Sequence, residues 1–300
     1  MKKFSHFGIV ILGSMFLCAT LNAQTLTPYQ KEVEDWHTAR INELKADDGW
    51  LNLVGLYWLP EGKSTFGSAA TNKVVFPAGG ITPVAGYFLR IGNTIKIAVE
   101  PGTDIKIDNA AVTGETVIYQ DDIPNLPTVT YGSLQWVIIK RDDKIGIRLR
   151  DLKSPMINSF KGIERFAVDP AWCVPAVLQT PNQPANIYIT NVLGQTDALK
   201  SPGKLVFTIN GKQYSLDVLD QGDDLFIVFG DATSGNTTYP SGRFLYAKKP
   251  GADGKTVIDF NEAFNPPCAF TNYATCPLPP KQNILPIAVT AGEKNYGHHM

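Results

Sequence analysis

The residue pattern is that of a mainly β protein with one helix near its front. Short runs rich in Val, Ile and aromatic residues recur between Lys73 and Asp151 and again between Ile187 and Phe260, with turn-forming residues between them. Helical periodicity is confined to the stretch from Tyr29 to Lys45. The dipeptide Asn210-Gly211, set between two such runs, is the signal of a tight type I′ hairpin.

Taken in order, residues 1–23 read as an export signal. Lys2 and Lys3 precede an apolar run from Phe7 to Leu21, and Ala23 offers a small residue for cleavage before Gln24. The expected localisation is therefore periplasmic or extracellular, with no membrane span left after cleavage. In the next segment, 24–60, Tyr29, Val33, Trp36, Arg40 and Leu44 recur at helical spacing, with most of the charged residues elsewhere. Arg40 falls inside that apolar stripe, where an unpaired charge would be prohibitive. It is expected to meet an acid from another element, with Glu293 the candidate. Both are read as structural. Trp50 to Leu59 is too apolar for a loop and is assigned to the core.

A β-sandwich is expected over 61–169, with strands at 73–76, 86–91, 94–99, 116–119, 134–140 and 145–151 and turns at Gly92-Asn93 and Asp142-Asp143. Pro170, Pro175, Pro181 and Pro184 crowd residues 170–185, which read as a linker. A second β unit follows over 186–300, with strands at 187–192, 204–209, 213–219, 225–229, 242–247 and 256–260. It ends in a proline-rich cap whose prolines and aromatic rings, without helix or strand periodicity, describe a rigid surface. Cys268 and Cys276 are close enough in sequence to close the cap as a disulfide in an oxidising compartment.

Composition narrows the function. The 300 residues carry a formal charge of -1 and no basic block, which argues against nucleic acid. With 44% hydrophobic residues the chain can bury a core. HExxH, CxxC, P-loop and GxSxG motifs are all missing, so no metal and no cofactor is expected. His37 reads as a half-exposed partner of a neighbouring acid, and His298 and His299 as solvated.

Three stretches carry a family likeness: GWLNLVGLYWLPEGKSTFGS, YPSGRFLYA and DFNEAFNPPCAFTNYATCPLPPKQNILPIAVTAGEK. Together they resemble the bacterial domain-of-unknown-function 1684 family over about residues 30 to 296. That resemblance implies relatives without implying a reaction. The order of Gly62, Phe66-Gly67-Ser68 and the following strands also resembles, weakly, a forkhead-associated sandwich. Ser68 stands where that family has arginine and its Ser-Arg-x-x-His run is missing, so no phosphopeptide binding is carried over.

The remaining chemistry is a set of carboxylates, amides and arginine. Asp231, Arg243 and Asp259 are the catalytic candidates, with the two acids as acid and base and the guanidinium as anion stabiliser. Arg243, Asp259, Asn261, Asn265 and Tyr273 are the ligand-binding candidates. The expected function is a binding module for a small-molecule or polymeric ligand, acting through the 239–294 surface. A carboxylate-based hydrolase or lyase and a structural envelope protein are the alternatives.

Overall fold

The computed structural model describes residues 26–183 and 185–297. The expected export signal and the histidine pair near the end lie outside them. Helix α1 (Pro28–Lys45) opens the fold. Thr27 caps it by accepting from the Gln30 N–H, Gln30 returns the bond to the Thr27 N–H, and Pro28 supplies the fixed φ suited to a first turn.

Eleven strands follow: β1 (Leu53–Trp58), β2 (Gly62–Gly67), β3 (Val74–Val75), β4 (Gly86–Ile91), β5 (Thr94–Val99) and β6 (Lys106–Ile107), then β7 (Ala110–Ala111), β8 (Thr116–Tyr119), β9 (Val129–Tyr131), β10 (Leu134–Arg141) and β11 (Lys144–Asp151). They form two sheets, of order β1-β11-β10-β9-β6-β7 and β3-β2-β4-β5-β8. Inward residues of both sheets, among them Phe66, Phe88, Ile97, Trp136 and Ile147, make one core. The apolar segment before Pro60 is thus β1, a strand of this sandwich paired with β11.

A short helix α2 (Pro155–Ser159) leads to β12 (Cys173–Gln179), β13 (Ala185–Thr190), β14 (Thr196–Ser201) and β15 (Gly203–Ile209). Strands β16 (Lys212–Gln221), β17 (Asp224–Phe229), β18 (Arg243–Lys248) and β19 (Lys255–Asp259) complete the set. Six of them form an antiparallel sheet of order β18-β17-β16-β15-β12-β19, and β13-β14 is a separate ribbon. The sheet curls until its ends approach, with Thr256 Oγ1 donating to Lys248 O at 2.7 Å. Asn210 and Gly211 both have positive φ, as the type I′ turn between β15 and β16 requires.

The region 170–185 is not only a crossing. Residues 173–179 are a strand between β15 and β19, and prolines there masked the β signal. Pro175 stands opposite Val257 in that ladder.

Alternation along β17 decides what each face does. Leu225, Ile227 and Phe229 point into the curled sheet, while Phe226 and Val228 point out. The C-terminal segment then serves both faces. Phe260, Leu285, Val289 and Ala291 fill the inside, and Phe264 joins the outside cluster with Phe244 and Trp36 of α1. Helix α1 therefore packs on the last unit of the chain, although it precedes the sandwich. Beyond Asp259 the described residues hold 3-10 turns at Phe260–Glu262, Pro267–Ala269 and Lys281–Asn283 and no strand. Cys268 and Cys276 are disulfide-bonded, with Cα atoms 6.1 Å apart. Of the four rings between Asp259 and Pro286, Phe260, Phe264 and Phe270 are buried and Tyr273 is exposed.

Candidate functional site

Two glycines set the geometry around Arg243. At Gly242, φ is +83° and a Cβ would lie 2.4 Å from Phe229 O. At Gly292, φ is +75° and a Cβ would lie 2.4 Å from Ala263 O. Only glycine meets both demands. The backbone passes close enough for the Arg243 guanidinium to reach Asp231 Oδ2 at 2.9 Å and Val289 O at 3.0 Å, and also to donate to Ala291 O. Asp231 Oδ1 accepts from the Thr233 N–H at 2.8 Å, the Thr233 hydroxyl at 2.5 Å and the Val289 N–H at 3.2 Å. Asp231 and Arg243 are both buried, and they face one another and the C-terminal backbone. Burial lowers the Arg243 pKa, and Asp231 opposes the shift.

Arg40 approaches the same segment from outside. Its Nε lies 3.7 Å from Glu293 Oε1, Nη2 donates to Asn265 O at 3.1 Å, and the guanidinium sits 4.6 Å from the Phe264 ring centroid. Glu293 Oε2 accepts from the Asn265 N–H at 2.7 Å, and Asn265 Nδ2 donates to Lys294 O at 2.8 Å. Arg40 Nε, Glu293 Oε1 and Asn265 Oδ1 are buried without hydrogen-bond partners.

Asp259 stands apart from that cluster. It caps the turn that follows β19 and accepts from the Tyr29 hydroxyl at 2.7 Å. Asn261 Nδ2 donates to Tyr29, to Asp169 O and to Asp259 Oδ1, each at 2.9 Å. Burial and then the bond to Asp259 push the Tyr29 hydroxyl well above its ordinary range. The three catalytic candidates thus divide: Asp231 and Arg243 are joined in the interior, and Asp259 lines a cleft. Tyr273 and Thr275 lie toward the sandwich, where Arg141 Nε donates to Thr275 Oγ1 at 3.3 Å, while the disulfide cysteines pack in the outer cluster with Val228 and Phe264. His37 is half-buried with Nδ1 lacking a partner, because its neighbour Glu34 pairs with Arg165.

A groove runs between α1 and the outer face of β17 and β18. One half, of about 540 Å³, is lined by Tyr29, Trp36, Tyr246, Asp259 and Glu262. The other, of about 430 Å³, is lined by Arg40, Trp50, Phe244 and Phe264, and it shares Trp36 and Tyr246 with the first. Tyr246 stacks on Phe264 at 5.8 Å, and Trp36 tilts against Phe264 at 6.2 Å. Among the described residues no group of three or more His, Cys, Asp or Glu is placed to hold a metal, and no helix is long and apolar enough to cross a membrane.

Residues 158–294 match the family model described as "Protein of unknown function (DUF1684)". A solution NMR structure of an uncharacterized protein from Haloarcula marismortui is 30% identical over 47% of this chain and 80% of its own, with a TM-score of 0.39. The chain belongs to the DUF1684 family. No curated protein matches it. The DUF1684 match takes in β17, β18 and the C-terminal segment, whereas α1, the other wall of the groove, precedes it.

Sequence reasoning did not single out Glu262, although it lies within the DUF1684 match. It forms no hydrogen bond or ion pair, and burial, then Asp259 and Glu32, push its carboxyl up to about 7. Its signal, Asp259-Phe-Asn-Glu262 at the end of a strand, gains meaning only once α1 closes over it. A raised pKa means the protonated form is favoured by folding. Stability from this group is full below the ordinary glutamate range and is lost as pH rises through about 7. Glu262→Gln should therefore raise Tm at pH 8 and leave it unchanged at pH 4. Thermal melts at both pH values check this, and a Tm gain only at the acid end would contradict it.

Proposed function

We propose that this protein is a binding module whose small organic ligand lies in the groove between α1 and β17–β18. One observation carries the proposal. Aromatic rings from separate parts of the chain, Trp36, Trp50, Phe226, Phe244, Tyr246 and Phe264, converge on a groove that no side chain fills. Concave sites with apolar walls and a few charged groups are the usual form of small-molecule pockets. Ring faces also offer stacking contact at little conformational cost. The groove draws on the 239–294 surface for one wall and adds α1 as the other.

Trp36 is one of the two rings common to both halves and the one that fluoresces most strongly, so a ligand screen read by intrinsic fluorescence or thermal shift tests the proposal. A binder should shift the emission of the wild type, and Trp36→Ala should weaken it by about tenfold or more, the loss of one well-packed aromatic anchor. Unchanged affinity in Trp36→Ala would place the ligand elsewhere.

A carboxylate-based hydrolase or lyase is the second reading, and Glu262 favours it. An unpartnered carboxyl titrating near neutrality beside Asp259 and the Tyr29 hydroxyl is suited to proton transfer. Turnover that survives Glu262→Gln would remove that role.

A further inference from the structure

The Arg40 half of the groove has a charge pattern that selects among ligands, an inference that rests on the binding reading above. Arg40 and Glu43 are the charged side chains among its lining residues, and they sit one helical turn apart on α1. Arg40 is 8% exposed. A guanidinium has five N–H donors, yet Arg40 makes one hydrogen bond, from Nη2 to Asn265 O; its buried Nε faces Glu293 Oε1 at 3.7 Å, and Nη1 makes no hydrogen bond. The Nη1 donors, on a residue that lines the open pocket, are the ones left for an acceptor from outside the chain.

The surrounding charges decide what carries that acceptor. Beneath the pocket, Arg40 and Arg243 are matched by Glu293 and Asp231, so the buried group is already neutral. A ligand bringing only a carboxylate would leave a net negative charge in a poorly solvated place, with Glu43 beside it. A ligand bringing only an amine would suit Glu43 and meet the Arg40 cation. A ligand carrying both groups on adjacent atoms satisfies both residues and adds no net charge.

We propose that this half of the groove binds an α-amino acid with an apolar side chain, its carboxylate on the Arg40 guanidinium, its ammonium on Glu43, and its side chain between Trp36, Trp50 and Tyr246. The volume of about 430 Å³ is within the range of small-molecule pockets.

Isothermal titration of the full chain with four probes tests it: L-phenylalanine, 3-phenylpropionate, 2-phenylethylamine and 3-phenylpropan-1-ol. L-phenylalanine is expected to bind at least about tenfold tighter than each of the others, the scale of one charge-assisted hydrogen bond. Glu43 is exposed, so Glu43→Gln should fold normally and lose about tenfold in affinity for L-phenylalanine while its affinity for 3-phenylpropionate does not fall. Arg40→Lys, which keeps the charge and loses the fork, should weaken both carboxylate probes. Equal binding of all four probes would overturn the amino-acid assignment and keep the groove as an apolar site. Preference for either singly charged probe would overturn it in favour of that charge. Absence of binding by every probe would also overturn it, and the Trp36→Ala ligand screen decides the wider reading separately.

Discussion

Truncation after Asp259 should give a protein that is insoluble or lacks a cooperative unfolding transition. The removed segment supplies Phe260, Ala263, Leu285, Val289 and Ala291 to the inside of the curled sheet. It also supplies Phe264 to the outer cluster and the backbone acceptors of Arg243. Phe260 is fully buried and packs edge-on against Phe229 at 5.6 Å. Removing a buried phenylalanine side chain costs about 3–5 kcal/mol. Whole domains have only about 5–15 kcal/mol to lose. Several such losses, with Arg243 left facing missing carbonyls, exceed that margin. Circular dichroism and urea unfolding of the truncated chain check this. A soluble product with a sharp transition near that of the full chain would show the segment to be a lid over a sheet that is complete without it.

Arg243→Met should be the most damaging single substitution, lowering stability by about 3–5 kcal/mol, the cost of leaving a buried carboxylate without its cation. Asp231 would keep its bonds from Thr233 and the Val289 N–H, but its charge would be orphaned in a place with no solvent. The carbonyls of Val289 and Ala291 would lose their donor as well. The double variant Arg243→Met/Asp231→Asn removes the orphaned charge and keeps the acceptor for Thr233, so it should recover part of the loss. Urea midpoints for the three proteins decide it. A single variant as stable as the wild type would mean that Asp231 and Arg243 are not a structural pair, and would return both to the list of candidate active groups.

The strands were legible where short-range pattern decides them. The 225–229 run, the positive φ at Asn210 and Gly211, and the helix carrying Tyr29, Val33, Trp36, Arg40 and Leu44 all follow from local chemistry. Strand β12 was not, because Pro175 reads as a breaker although a position in the ladder tolerates it. Nor was the partner of α1 legible beyond one contact. A charge inside an apolar stripe signals burial and the need for an acid, which led to Glu293. The packing of Trp36 against Phe264, more than two hundred residues away, leaves no local trace.

The candidate site divides in the same way. Asp231, Arg243 and Asp259 stood out because acids and arginines at strand ends are chemically expensive. Chemistry alone does not say whether such groups face solvent or one another. Glu262, Trp36 and Tyr246 are ordinary residues until α1 is laid across β17 and β18, and the groove exists only in that arrangement.

Fluorine NMR of the protein labelled with 5-fluorotryptophan tests the groove most directly. The chain has five tryptophans, and each gives its own resonance. Trp36 and Trp50 line the groove, whereas Trp136 is sealed in the sandwich core at 0% exposure. A ligand found by screening should shift the Trp36 and Trp50 signals and leave Trp136 in place. A ligand that leaves Trp36 and Trp50 unmoved while shifting another tryptophan would contradict binding between α1 and β17–β18.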